Sequence, residues 1–132
     1  MEKVVLDTNV LVSALLTSGT PAAIVDLIAE GKLILFYNEQ IIGGYWNVLQ
    51  RKKFGFSFLQ VSRLIESIVK SGIAAKTDES SLISMPDEDD RVFYDLAKTS
   101  GAFLITGNIK HFPQESFVIT PADFLRSYAI SR

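Results

Sequence analysis

Short, continuous apolar runs constrain the fold of this chain more than any other feature. They lie at residues 3–6, 33–37, 102–106 and 117–119, and amphipathic segments with helical periodicity separate them. Runs without polar alternation are typical of strands that are buried on both faces, as in parallel sheets. Right-handed crossovers then place helices on both faces. The sequence therefore predicts a three-layer α/β/α sandwich with a central parallel sheet.

The helical segments between these runs have recognisable starts. Asn38 and Ser57 are expected N-caps, and Pro21 suits the first position of the second helix. Tyr45 and Trp46 fall on the apolar face of the third helix, so both are expected in the core. The predicted helices cover 9–16, 22–30, 38–49, 57–71, 87–100 and 121–130, with a short edge strand at 73–75 and a loop at 77–85.

Composition limits the class of protein. The 132 residues, 48% hydrophobic and 21% charged, are expected to form one globular domain spanning 1–132. The absence of cysteine excludes disulfides and thiolate chemistry, which fits a cytoplasmic protein. No apolar run approaches the roughly 20 residues that span a bilayer, and Met1 leads directly into the first strand, so neither membrane insertion nor a signal peptide is expected. A net charge of −2 argues against broad electrostatic capture of nucleic acid, though a local basic patch remains compatible with it.

Polar side chains follow the predicted strands at one edge of the sheet. Asp7 comes directly after the first strand, the acidic segment 87–90 opens a helix, and Thr106 and Asn108 follow a later strand. In a parallel sheet the carboxyl ends of the strands meet at one edge, where ligands bind. Carboxylates gathered without Cys or His suit Mg²⁺ or Mn²⁺, which prefer oxygen ligands. A cation of this kind activates water for hydrolysis of a phosphodiester.

Each of these residues also has an ordinary structural interpretation. Asp7 is suited to capping the first helix, and Asp87 with Asp90 three residues later resembles a capping box. Asn108 after a glycine is a common turn residue, and His111 is more often a loop residue than a ligand. The hypothesis of a metal site therefore depends on the convergence of these groups.

A basic and aromatic segment joins the third and fourth helices. Arg51, Lys52 and Lys53 precede Phe54 and Phe56. Such a segment is usually a solvated helix end, but it also suits contact with an RNA backbone and stacking on a base.

Four segments resemble motifs of the PIN domain family. These are 7–13 (DTNVLVS), 48–54 (VLQRKKF), 87–90 (DEDD) and 105–113 (ITGNIKHFP). Each is weak alone, but their order and spacing cover nearly the whole chain. The resemblance is closest to the group described as toxin components of toxin–antitoxin systems.

The resemblance implies a Mg²⁺- or Mn²⁺-dependent ribonuclease, a hydrolase in which activated water attacks phosphorus in line. It makes Asp7 and Asp90 the metal-binding acids and Asp87 a supporting acid. Asn108 takes the place of an Asp found in many relatives, and Thr106 would order the loop or a water.

The same resemblance implies partners. RNA is the expected substrate, with a possible antitoxin protein and a possible second copy of the chain as partners. Asn9, Ser13 and Lys110 belong to these motifs and, with Arg51 and Lys52, are predicted to contact the substrate.

One position departs from the family pattern. Gly44 stands where relatives carry a metal-binding Glu before the segment 48–54. Glu39, five residues upstream, lies about 140° around an ideal helix and would reach the site only if the helix bent. The alternative is therefore a non-catalytic module that binds an antitoxin-like partner or RNA. A phosphotransfer domain is a third alternative, which Asn9 disfavours because a dehalogenase-type site needs Asp there.

Overall fold

The computed structural model describes residues 1–77 and 81–130, so part of the predicted loop at 77–85 lies outside the described residues. Within them the chain alternates between strands and helices. The strands are β1 (Glu2–Leu6), β2 (Leu33–Tyr37), β3 (Ile73–Ala74), β4 (Phe103–Ile105) and β5 (Val118–Ile119). The α-helices are α1 (Thr8–Leu16), α2 (Thr20–Ala29), α3 (Glu39–Leu49), α4 (Phe58–Ser71), α5 (Arg91–Ser100) and α6 (Pro121–Ile130).

The five strands form one parallel sheet in the order β3-β2-β1-β4-β5. The first strand is central: Val4 is in register with Leu35 of β2, and Leu6 is in register with Ile105 of β4. The carboxyl ends of β1 and β4 therefore lie side by side. This register brings the segment after Leu6 next to the segment after Ile105.

Helices cover both faces of the sheet. Val4, Val5 and Leu6 are each fully buried, although consecutive side chains of a strand point to opposite faces. The α5 helix packs against β1, β2 and β4. The predicted α/β/α sandwich with a central parallel sheet is confirmed.

Two predicted helix caps are confirmed. The Asn38 side chain accepts a hydrogen bond from the Ile41 N–H at 2.8 Å, and Ser57 accepts one from the Gln60 N–H at 3.0 Å. The second helix begins at Thr20, two residues before the predicted start at residue 22, so Pro21 is its second residue rather than its first.

Asp87 is a helix N-cap as predicted, but the α-helix predicted over 87–100 begins only at Arg91. Asp87 caps a short 3₁₀ turn, Glu88–Asp90, that leads directly into α5. The carboxylate of Asp87 accepts the N–H of Asp89 at 2.9 Å, only two residues away, which closes a tight turn. The Arg91 guanidinium also binds the Glu88 carboxylate, at 2.7 Å and 2.8 Å, and stabilises this turn.

The third helix contributes to the core as predicted, but unevenly. Tyr45 is fully buried, whereas Trp46 is partly buried and packs against Phe58, with ring centroids 5.9 Å apart.

In the described ranges, no single helix has the length and apolar character needed to cross a membrane; α1 and α2 meet that test only as a pair bent by 101°.

Candidate active site

A cleft of about 550 Å³ opens at the carboxyl ends of β1 and β4. Asp7, Asp90 and Asn108, which the sequence placed at this edge, all line it. One face of α3 and the imidazole of His111 complete the wall. The fold thus brings together residues that are about 100 positions apart in the sequence.

Asp7 lies at the bottom of the cleft, and its carboxylate is held from β4. Only 7% of its surface is exposed, and its Oδ2 accepts a hydrogen bond from the Thr106 hydroxyl at 2.7 Å. Its backbone N–H donates to the carbonyl of Ile105 at 3.0 Å. Although Asp7 occupies the N-cap position of α1, its side chain makes no helix-capping hydrogen bond. The geometry therefore does not support the interpretation of Asp7 as a helix cap.

Hydrogen bonds join the turn after β4 to the turn after β1. The Thr106 hydroxyl that donates to Asp7 also accepts the N–H of Asn108 at 3.0 Å. The Asn9 side chain accepts the N–H of Gly107 at 3.4 Å. Thr106 itself is fully buried and does not line the cleft. Its position suits ordering the carboxylate and the loop rather than contact with a substrate.

Asp90 carries the clearest electrostatic perturbation. Burial is the largest cause, followed by the negative charges of Asp7 and Asp87, and together they raise the pKa of Asp90 to about 6. Asp89 acts in the same direction, and His111, whose Nδ1 lies 3.9 Å from Asp90 Oδ2, opposes it. Asp7 and Asp90 are therefore close enough to repel each other.

The pKa of Asp7 is also raised, because burial penalises its charged form. The Thr106 hydroxyl, the backbone N–H of Thr8 and the charge of His111 act in the opposite direction. Both carboxylates therefore resist ionisation. A cation bound in this site would stabilise their charged forms.

The α3 wall of the cleft carries no carboxylate. Gln40, Gly44 and Asn47 line it, at the spacing of one helix face, and Arg51 lines the cleft just after the helix ends. The helix runs unbroken from Glu39, which is exposed and does not line the cleft. A Cβ added at Gly44 would meet nothing within 4 Å outside its own helix backbone, so the space for a longer side chain exists. Gln40 and Asn47 had not been predicted as site residues.

Only some of the residues predicted to contact the substrate line the cleft. Asn9 and Arg51 line the cleft. Ser13 does not, and its carbonyl accepts hydrogen bonds from Thr17 within the helix region. Lys52 is exposed on the turn after α3, and Lys110 lines a separate depression.

The donor groups of the cleft suit a divalent cation that keeps several of its waters. Across residues 1–77 and 81–130, no group of three or more His, Cys, Asp or Glu side chains is arranged to hold a metal ion. The carboxylates of Asp7 and Asp90 and the amide of Asn108 are nevertheless hard oxygen donors in one cleft. Mg²⁺ commonly binds through one or two carboxylates and keeps several waters. The site fits such a cation and not one that needs a closed protein cage.

The fold and site together define an α/β protein with an acidic cleft at the edge of a parallel sheet. A PIN domain model matches residues 3–110, which is most of the chain. The chain belongs to the PIN domain family, a family of nucleases that generally use divalent metal ions.

Two individual proteins are similar to this chain. The uncharacterized protein MJ1680 of Methanocaldococcus jannaschii is 32% identical over 118 residues, covering 80% of this chain and 70% of that protein. The crystal structure of PAE2754 from Pyrobaculum aerophilum superimposes with a TM-score of 0.59 over 98% of this chain and 90% of that one. Its sequence identity is 16%, so this likeness concerns the fold alone.

Proposed function

We propose that this chain is a metal-dependent endoribonuclease that hydrolyses phosphodiester bonds of single-stranded RNA. The observation that carries the proposal is the presence of Asp7 and Asp90 in one cleft, where the negative charge of Asp7 contributes to the raised pKa of Asp90. These two carboxylates would hold Mg²⁺ or Mn²⁺, with Asn108 beside them. When bound, the cation supplies Lewis acidity and lowers the pKa of a coordinated water.

The chain's own residues prepare this site. Thr106 holds the Asp7 carboxylate in place, and its hydroxyl also fixes the backbone of Asn108. Arg51, just after α3, adds a guanidinium to the lining of the cleft, where it suits a phosphate of the RNA backbone. Phe54 also lines the cleft and offers an aromatic ring for contact with a base.

The decisive experiment compares wild type with Asp7→Asn on a fluorescently labelled single-stranded RNA in the presence of Mn²⁺. We expect cleavage by wild type and background cleavage by the variant, because the substitution removes a ligand charge at the bottom of the cleft. Asp123→Asn is the matched control, since Asp123 is an exposed carboxylate on α6 paired with Arg126. Equal cleavage by wild type and Asp7→Asn would contradict the proposal.

A second candidate function is a non-catalytic module that retains the fold and binds RNA or a protein partner. The carboxylate-free α3 wall at Gly44 favours it. Gly44→Glu separates the two, because the cleft has space for the added side chain. Gly43→Glu is its control: this neighbouring glycine is equally open but does not line the cleft.

The two candidates predict different results for this pair. If the chain is a nuclease, the wild type cleaves RNA, and Gly44→Glu binds Mn²⁺ more tightly than the wild type in calorimetry. A degenerate module neither binds Mn²⁺ nor cleaves until Gly44→Glu restores both.

We further propose that the chain acts in the cytoplasm as the toxin of a toxin–antitoxin pair, inhibited by a protein partner. The resemblance of segments 48–54 and 105–113 to that group supports this role. Induced expression is expected to arrest growth, and Asp7→Asn to relieve the arrest at equal protein level. Equal arrest by both forms would contradict a toxic nuclease.

A further inference from the structure

A buried tyrosine of α3 contacts the backbone at the bottom of the cleft. Tyr45 is fully buried, and its hydroxyl donates a hydrogen bond of 2.6 Å to the carbonyl of Leu6, the last residue of β1. Its ring packs on Phe93 of α5, with centroids 6.4 Å apart. Burial and then the negative charge of Asp7 raise the pKa of the Tyr45 hydroxyl, which therefore stays protonated and donates.

The hydrogen bond from Tyr45 completes the restraint of a single peptide group. The carbonyl of Leu6 and the N–H of Asp7 belong to the same planar peptide unit. Tyr45 binds the carbonyl at 2.6 Å, and Ile105 accepts the N–H at 3.0 Å. With both ends held, the plane cannot rotate freely, and it defines the direction in which the Asp7 side chain leaves the backbone.

We propose that Tyr45 is a positioning residue for the Asp7 carboxylate and acts through the Leu6–Asp7 peptide. Thr106 holds the same carboxylate directly, so the carboxylate is located by contacts from α3 and from the end of β4. The helix whose wall offers no acidic ligand thus contributes to the site by fixing an acid on a neighbouring strand. The catalytic consequence rests on the proposed function, whereas the positioning itself does not.

The test compares Tyr45→Phe with Tyr94→Phe, a closely matched control. Tyr94 is also fully buried, and its hydroxyl also donates one hydrogen bond, to the carboxylate of Glu115. Both variants lose one hydroxyl and keep the ring, so both are expected to fold. Only the first removes a contact to the peptide of Asp7.

The first measurement uses metal-free protein and needs no activity. NMR follows the carboxyl carbon of Asp7 and hydrogen exchange of its backbone N–H. In Tyr45→Phe we expect a shifted carboxyl resonance and exchange about tenfold faster, the effect of losing one net hydrogen bond. Tyr94→Phe is expected to leave the carboxyl resonance at its wild-type value and to speed exchange no more than its loss of global stability does. Wild-type signals in Tyr45→Phe would overturn the proposal.

The second measurement separates this proposal from the nuclease proposal. In an active wild type, Tyr45→Phe is expected to lower kcat about tenfold at unchanged KM and to weaken Mn²⁺ binding by a similar factor, as loss of a supporting contact around metal ligands does. An unchanged kcat despite a displaced Asp7 resonance would overturn the catalytic consequence. If wild type neither binds Mn²⁺ nor cleaves, the nuclease proposal fails, and the NMR comparison still decides the role of Tyr45.

Discussion

Replacing Asp90 by Asn is expected to stabilise the protein in the absence of metal. The pKa of Asp90 in the folded protein is about 6, above its usual value of 3.8, chiefly because of burial and then the charge of Asp7. A raised pKa means that its contribution to stability is fully present below pH 3.8 and is lost as the pH rises through about 6. At pH 7 the folded chain therefore holds an unfavourable charge, which Asp90→Asn removes at nearly constant shape.

The magnitude follows from the two pKa values. Raising the pKa from 3.8 to about 6 corresponds to about 3 kcal/mol of unfavourable free energy at pH 7. Asp90 lies at an open cleft and keeps 17% of its side-chain surface exposed, so water screens part of this energy. We expect a net gain of about 1 kcal/mol in the free energy of unfolding, equivalent to a rise in Tm of about 4 °C.

Urea unfolding in EDTA between pH 4 and pH 8 measures this effect. Asp90→Asn is expected to exceed wild type by about 1 kcal/mol at pH 7, and the difference should vanish toward pH 4. Saturating Mn²⁺ should reverse the order, because a ligand that binds the folded wild type stabilises it. Asp123→Asn, which changes an exposed carboxylate, serves as the control. A less stable Asp90→Asn at pH 7 in EDTA would refute the electrostatic argument.

Four further substitutions test local structure by urea denaturation. Thr106→Val removes the hydroxyl bound to buried Asp7 and is expected to lower the free energy of unfolding by about 2 kcal/mol at pH 7. It should also raise the pKa of Asp7 further, which an NMR titration measures. An unchanged pKa would contradict the role of this hydroxyl. Asn38→Ala removes a confirmed helix cap and should cost about 1 kcal/mol. Gly72→Ala would place a Cβ 2.7 Å and 2.8 Å from two backbone carbonyl oxygens and should cost about 2 kcal/mol. Gly43→Ala meets no such atoms and should be neutral or stabilising by up to about 1 kcal/mol.

The strands were predictable because their boundaries have local signals. The second strand was predicted to the residue, since a turn precedes Leu33 and the cap Asn38 follows Tyr37. The start of α5 was not predicted correctly, because the acidic segment favours a helix start without specifying the residue at which the α-helix begins. The capping bond from Asp87 to the N–H of Asp89 suits a 3₁₀ turn as well as an α-helix, so the cap alone does not fix where the α-helix begins.

The candidate site was predictable where topology alone positions the residues. Asp7 and Asn108 follow strands, so a parallel sheet brings them to one edge. Gln40 and Asn47 were missed, because neutral amides carry no chemical signal and the direction of their helix face is set by packing. The role of Tyr45 was missed for a similar reason: periodicity predicted a core residue, but the acceptor of its hydroxyl lies 39 residues away.

The hydrogen bond between Thr106 and Asp7 joins positions 99 residues apart. During synthesis the first acid of the cleft is therefore made 99 residues before the threonine that holds it. Until β4 pairs with β1, the Asp7 carboxylate has neither the Thr106 hydroxyl nor its neighbours around the cleft. A nascent chain from which Thr106 has not yet emerged thus lacks the assembled site. The long sequence separation delays assembly of the cleft until the sheet has formed.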